Sequence, residues 1–529
     1  MRRWNGWGDD SNNSAVQPGI AHVVETLLGP GRPPQDVSFE DVVAQVPETR
    51  LAPHPSVHTH PAERVRHARG QSLPDLIAMR SGTGLVFPDG VSFPASAQEV
   101  RELLRYAGRT GAQVIPYGGG TSVTGHVNVL PSSAPTLTID LGRLHQLHSL
   151  DDVSNLAIIG PGASGARIEA SLRTHGYTLG HFPQSFEFST LGGWIATRSK
   201  GQQSLFYGGI ERIFAGGTVE TPSGTLELPT LVASSAGPEL REAILGSEGR
   251  LGIITSATVR ISPVPEFERF EAFFFSSFDQ GVEAVRAAAQ ARLQLSMLRL
   301  SDATETSLTV SSAGGKRAGA TQQVLRDHGF GGGTCMLMVG ATGTSGARST
   351  LRQTGALLRR VGGLSVPGST FGSRWAESRF SSPYLRNGLW ELGYAVDTVE
   401  TATDWTRLDA TRRAIESTLR NGLTDLGEVV VPFTHLSHVY PTGSSIYTTY
   451  LFRIAPDPAE TLRRWTVLKE AVSRAVVAHG ATISHQHGVG VDHRPFLEPE
   501  KGRLGLDLIR GMATRLDPDR ILNPGKLIP

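Results

Sequence analysis

Apolar and polar positions along the chain follow two periods. In residues 96–111, Val100, Leu103, Leu104 and Ala107 recur three and four apart behind Ser96, which predicts a serine-capped helix with one buried face. Residues 113–115, 136–141, 156–160 and 252–261 are short runs rich in β-branched side chains, and they predict strands. A helical pattern over residues 72–80 follows a polar, proline-rich opening that reads as an arm. Pro263 and Pro265 then mark a linker. Beyond it, residues 267–278 are strand-like, followed by a helix through Ala291 and by strands near Leu298, at 335–340 and at 447–454. Residues 314–319 and 340–346 are rich in Gly and Ser and predict mobile loops. The expected class is α+β: an arm over 1–80, a nucleotide domain over 81–265, an antiparallel-sheet domain with flanking helices over 266–480, and a terminal segment over 481–529.

The strand at 113–115 runs into Pro116, Tyr117, Gly118, Gly119, Gly120, Thr121 and Ser122. Three successive glycines remove the Cβ atoms that would hold phosphate oxygens away from main-chain N–H groups, and the two hydroxyls add donors. The run reads as a diphosphate cradle or as a tight glycine turn. It matches neither Gly-x-x-x-x-Gly-Lys-Ser/Thr nor the dinucleotide fingerprint, since no clear helix with an acidic residue about twenty positions on follows it. The 529 residues are enough for substantial cores, and a net charge of +1 gives no reason to invoke nucleic acid. No apolar run reaches the roughly eighteen residues of a membrane span, and residues 6–14 are too polar for a secretory signal, so a cytoplasmic protein with at most peripheral membrane contact is expected. A single cysteine, Cys335, excludes an intramolecular disulfide and a Cys-rich metal site.

Two later segments carry the same chemistry. One comprises Gln184, Ser185, Phe186, Glu187, Phe188, Ser189 and Thr190 and continues through Thr197, Arg198, Ser199 and Lys200; the other is Glu248, Gly249, Arg250, Leu251, Gly252, Ile253 and Ile254. In order and spacing, PYGGGTSVTG, FPQSFEFSTLGGWIATRSKG and GSEGRLGIIT resemble the vanillyl-alcohol-oxidase, or PCMH, type of FAD-binding domain. Within that superfamily the chain is most similar to the alkyldihydroxyacetonephosphate synthases, whose catalytic region opens like Arg3, Trp4, Asn5, Gly6, Trp7, Gly8 and Asp9. The resemblance covers nearly the whole chain, strongest over 116–265 and weakest over about 307–373. It implies a two-subdomain FAD-binding domain, an antiparallel-sheet cap, and a terminal segment returning to the flavin. FAD is expected to be non-covalent, because the His of the glycine loop or the Cys of the second segment used by covalent members is missing. His126, just past the loop, is expected to pack or hydrogen-bond.

In the C-terminal half, His485, Gln486 and His487 stand out. Two histidines two apart point the same way on extended backbone and could line a pocket. A metal would need a third ligand, and His493, Asp492 and His435 lack diagnostic spacing, so none is expected. The resembling family has a run of histidines at the flavin here that its activity needs, which implies that His485 and His487 are catalytic and shuttle protons to the leaving carboxylate and from the incoming alcohol; Gln486 replaces the middle one. Tyr447 matches its active tyrosine, which takes a proton from the carbon beside the substrate ketone; a phenol of ordinary pKa near ~10 needs cationic neighbours for that task. Arg386 matches its substrate-binding arginine and Arg299 a second activity-critical one, although lone arginines are often ion-pair partners. Tyr450 flanks the same strand and could be confused with Tyr447.

The chemistry implied is exchange of the acyl chain of 1-acyl-dihydroxyacetone phosphate for a long-chain alcohol, with C1 carried on flavin N5 and no net redox change. The family also implies a homodimer. The alternative keeps the fold and makes the protein an FAD-linked 2-hydroxy-acid dehydrogenase of the D-lactate or glycolate type. Residues 517–526, DPDRILNPGK, look more like that group's C-terminus, and His485 or His487 would then be the base.

Overall fold

The protein, seen in a computed structural model, is described over residues 2–12, 16–312, 315–366 and 371–528. Its glycine run leaves the end of a three-stranded parallel sheet, ordered Gly90–Ser92, Thr136–Asp140, Gln113–Tyr117. Helix Ala97–Thr110 packs there as its pattern predicts. Ser96 Oγ accepts from the Glu99 N–H at 3.2 Å, and Val100, Leu103, Leu104 and Ala107 are buried against the sheet. The chain's last segment extends the same sheet: Val114 N–H donates to the Ile521 carbonyl and Asn523 N–H to that of Val114, both at 2.7 Å.

A second, five-stranded antiparallel sheet runs Leu147–Asp151, Leu156–Ile159, Ile253–Arg260, Phe214–Thr221, Gly224–Leu228. These two sheets form the N-terminal half of the molecule. The C-terminal half is built on an eight-stranded antiparallel sheet. Its path is Leu364–Ser365, Phe267–Phe275, Cys335–Gly343, Met297–Ser301, Val431–Leu436, Gly443–Arg453, Tyr394–Asp404, with Val439–Tyr440 paired beside Gly443–Arg453.

Period-2 alternation divides this sheet's faces. Leu298, Leu300, Ile446, Tyr450 and Phe452 enter the core with residues of helices Phe278–Gln290, Leu408–Asn421 and Pro458–Ala478. Met297, Arg299, Phe433, His435, Val396, Thr398, Tyr447 and Thr449 face a cavity shared with the N-terminal half. The two predicted glycine-rich loops fare differently from their composition. Residue 314 lies outside the described residues, residues 315–319 belong to helix Gly315–Asp327, and Gly340 sits inside strand Cys335–Gly343. A Cβ on Gly340 would fall 2.7 Å from the Phe270 ring, so close packing rather than a turn accounts for that glycine.

Candidate active site

The cavity, of about 470 Å³, lies between the glycine run and the cap sheet. Gly118, Gly119, Gly120, Thr121 and Ser122 line it, and among the described residues none of their main-chain N–H groups donates a hydrogen bond. Five successive free donors suit a diphosphate, so the residues present fit the FAD that the sequence implies. The glycines are needed for a reason composition does not show. A Cβ on Gly119 would lie 1.8 Å from the Phe188 carbonyl oxygen and one on Gly118 2.3 Å from Thr190 Oγ1. Their missing side chains let the second segment press against the first. His126 also reaches the wall, with both ring nitrogens engaged: Nδ1 lies 2.7 Å from Ser122 Oγ and Nε2 3.1 Å from Glu248 Oε1.

Of the other cofactor candidates, Pro116, Tyr117, Gln184, Ser185, Ser189, Thr190, Thr197, Ser199, Lys200, Glu248, Gly249, Gly252, Ile253 and Ile254 also line the cavity. Six candidates do not, and each has another employment. Phe186 stacks on Phe380 at 4.7 Å, and Glu187 accepts from Tyr384 Oη at 2.8 Å. Phe188 supplies the carbonyl under Gly119 and packs edge-on against Trp7. Arg198 pairs with Glu242 at the surface, Arg250 donates to the Leu522 carbonyl, and Leu251 is core.

The cap supplies the candidate catalytic side chains. Tyr447 lies in Gly443–Arg453 with its ring stacked on His435, 4.8 Å between centroids at 13°, and His487 meets its edge at 5.7 Å. Burial pushes the Tyr447 phenol up to about 12; a hydrogen bond with Thr398 and the charge of Arg386 oppose the rise, and Glu400 and Asp397 add to it. The expected lowering by cationic neighbours is present as a tendency and is outweighed by desolvation. Tyr450, on the opposite face, donates to Asp397 Oδ2 at 3.1 Å and is fully buried.

Both arginines reach the cavity, held in different ways. Arg299 Nη2 donates to Glu305 Oε1 at 2.6 Å and lies 3.1 Å from His435 Nδ1. Burial opposes ionisation of Glu305, yet Arg299 and His435 together hold its carboxyl far below the usual range. Arg386, on helix Leu385–Glu391, spends one Nη1 bond on the Gln71 carbonyl at 2.7 Å. Its Nε and Nη2 are buried with no partner among the described residues, an arrangement that suits a bidentate anion. Gln71 N–H in turn donates to the Ser122 carbonyl at 2.6 Å, so one residue ties Arg386 to the glycine run.

Residues 485–487 are not extended, and the two histidines part company. The Glu400 carboxylate gathers the N–H groups of His485, Gln486 and His487 at 2.9–3.0 Å and curls the backbone around itself. His487 and Gln486 line the cavity as a result. His485 sits behind it, its Nε2 2.7 Å from Tyr440 Oη, with burial holding its imidazole down at about 3. A second carboxylate, Glu248, accepts from Val489 N–H at 2.6 Å and Gly490 N–H at 2.8 Å, from a left-handed backbone at φ +53°. A non-glycine residue held there costs about 1–2 kcal/mol, which these charge-assisted bonds offset.

Several cavity residues are absent from the sequence candidates. Trp7 lines the wall, and its main chain is stitched to Asn387 by bonds of 3.1 and 2.8 Å, which fastens the N-terminal arm beside Arg386. His438 and Thr398 carry no motif, and strand alternation around Tyr447 is the signal that could have found Thr398. Asn523, in the terminal pattern, lines the wall and donates to the carbonyls of Glu248 and His126 at 2.7 and 3.1 Å.

Comparison with known proteins bears on the fold, the cofactor and the family. Residues 88–228 match the family model of an FAD binding domain, and residues 264–527 that of the C-terminal domain of FAD linked oxidases. The alkyldihydroxyacetonephosphate synthase of Dictyostelium discoideum is 32% identical over 475 residues, 88% of this chain and 77% of that protein. Its counterpart from Trypanosoma brucei brucei is 29% identical over the same shares of each. A solved structure of an alkyldihydroxyacetonephosphate synthase superposes with a TM-score of 0.85 at 27% identity, covering 99% of both chains. This degree of identity over most of the chain places it in the alkyldihydroxyacetonephosphate synthase family of FAD-dependent enzymes.

Proposed function

We propose that the protein exchanges the fatty acyl group of 1-acyl-dihydroxyacetone phosphate for a long-chain alcohol, releasing the fatty acid and forming an ether. The observation that carries this reading is the shared cavity, which Tyr447, Arg386 and residues 118–122 all line. Residues 118–122 would hold the diphosphate of FAD, which would supply an electrophilic, electron-accepting ring for the exchange.

The chain's own residues do the rest. Arg386 takes the phosphate with its two free donors. Tyr447 removes the proton from C1 in its phenolate form, which the charge of Arg386 favours and burial opposes. His487, on the cavity wall at the Tyr447 edge, is placed to receive that proton and to return one during exchange. Arg299, already committed to Glu305, orders His435 beneath the Tyr447 ring. His485 does not reach the cavity, and its part is to support the loop.

The test is exchange without an electron acceptor. Purified holoenzyme given acyl-dihydroxyacetone phosphate and ¹⁸O-labelled hexadecanol anaerobically should release unlabelled fatty acid and retain ¹⁸O in the ether. Stoichiometric FAD reduction by D-lactate or glycolate, with no exchange, would instead establish the less supported dehydrogenase reading. Long-chain substrates partition into bilayers, so the same proposal has a cytoplasmic homodimer touching a membrane peripherally. Among the described residues no helix is long and apolar enough to cross a membrane. Sedimentation and vesicle co-flotation measure both points.

A further inference from the structure

Glu400 has an environment out of proportion to a strand residue. It lies in Tyr394–Asp404 directly across from Tyr447, and its side chain is 1% exposed. Ser484 Oγ donates to its carboxylate at 2.7 Å, in addition to the three main-chain N–H groups of residues 485–487. One oxygen lies 3.8 Å from His485 Nδ1 and the other 3.8 Å from His487 Nδ1.

Four hydrogen bonds fill the acceptor sites of this carboxylate, and all four come from the segment that presents His487. Burial resists ionisation of Glu400, but the His487 charge and these bonds hold it below the usual carboxyl range, so a full negative charge sits under the loop. That charge acts on His487 as well. Burial lowers the His487 imidazole, and Glu400 is the first influence that raises it. A carboxylate in this place therefore does two things to one imidazole. It fixes where the ring stands, edge-on to Tyr447 at 82°, and it favours a proton on it.

We infer that Glu400 is a positioning residue for proton transfer, shaping residues 485–487 so that His487 stands at the Tyr447 edge and supporting the protonated imidazole there. The inference rests on the reading of Tyr447 as the base. Glu400 itself does not touch substrate; it acts through His487. The loop curvature also turns His485 away toward Tyr440, which accounts for two histidines two apart serving different surroundings.

Glu400→Gln keeps the shape and one acceptor oxygen while removing the charge. In the FAD-loaded enzyme, kcat should fall about 100-fold, the low end for a positioned acid or base deprived of its support, with KM within about threefold and FAD content unchanged. Titration of ¹³C-labelled histidines, with His487→Asn to assign the signal, should place the His487 midpoint lower in Glu400→Gln than in the parent protein. The double variant Glu400→Gln/His487→Asn should be no slower than His487→Asn alone, because Glu400 has nothing left to act through. Three results would overturn the inference: kcat per bound FAD within twofold of the parent, an unmoved His487 midpoint, or additive losses in the double variant. Should Glu400→Gln fail to fold, Ser484→Ala removes one anchor and leaves the charge, and it should lower kcat about threefold to tenfold without moving the midpoint; unchanged kcat there overturns the inference too. The titration reads the Glu400–His487 coupling whatever reaction is catalysed, so its failure is distinguishable from failure of the exchange assay.

Discussion

The two halves of the site are made from different materials. In the N-terminal half, residues 118–122 offer main-chain N–H groups, and the local glycines serve close packing against Phe188 and Thr190. In the cap, the candidate groups are side chains drawn from separate strands, helices and a loop, each held by a charged or hydrogen-bonding neighbour: Arg299 by Glu305, Arg386 by Gln71, His487 by Glu400. A main-chain cradle can hold a diphosphate but has no titratable group to offer. A side-chain cluster can move protons, and it needs buried charges to keep its geometry. Binding of cofactor and choice of reaction should therefore fail separately when either half is damaged.

The largest effect is expected in the cradle. Gly119→Ala sets a Cβ 1.8 Å from the Phe188 carbonyl oxygen, a backbone contact that no side-chain rotation can relieve. FAD absorbance in the purified protein should be lost, and activity with it, through displacement of the segment that packs against the glycine run. A flavin-loaded, active Gly119→Ala protein would mean the two segments are not packed as described. Tyr447→Phe is the counterpart in the cap. It should retain FAD and lose turnover by roughly 10³-fold, within the range for removing a positioned acid or base. If this variant instead loses its flavin, the separation between the halves is wrong.

Arg386→Met sharpens the comparison at intermediate size. Removing both free donors should raise KM for the phosphorylated substrate, with a loss in kcat/KM of about 10²-fold, the scale of two charge-assisted hydrogen bonds. The alcohol's KM should hardly change, and measuring the two KM values separately checks this.

The same contrast decides what was legible in the chain. Helix Ala97–Thr110 and strands Gln113–Tyr117 and Ile253–Arg260 follow from local periodicity, because one buried face suffices to write the pattern. The cradle is contiguous, so it reads as a motif. The cap's side chains lie far apart in sequence, and only family resemblance singled out Tyr447, Arg386 and Arg299. Glu400 and Gln71 were missed for a physical reason: their partners are main-chain groups some 85 and 51 positions away, and main-chain groups leave no mark on composition. Residues 485–487 misled because the parity argument presumes extended backbone, whereas a carboxylate bends it.

The smallest effect on turnover is expected at the seam between the halves. Residues 521–528 join them: Asn523 pairs with Val114 of the parallel sheet, and Leu527 N–H donates to the Gly490 carbonyl of the loop below His487 at 3.1 Å. Between these contacts Lys526 is 1% exposed, and its amine is pushed down to about 7 by burial, with Arg250 and Arg494 adding to the fall. In the unfolded chain the amine keeps its ordinary value of 10.5. Between about pH 7 and about pH 10.5 the unfolded chain thus binds the extra proton, so this group's contribution makes stability rise with pH across that window. Below about pH 7 the buried ammonium is charged in both states and its full cost remains. Lys526→Met removes that cost while keeping the apolar stem. Its melting temperature should exceed that of the parent by several degrees at pH 7, with the gap closing toward pH 10 and kcat unchanged. A gap independent of pH would show that packing, not the buried charge, separates the two proteins. A fall in kcat would show that the seam takes part in catalysis and that the two halves are less separable than their materials suggest.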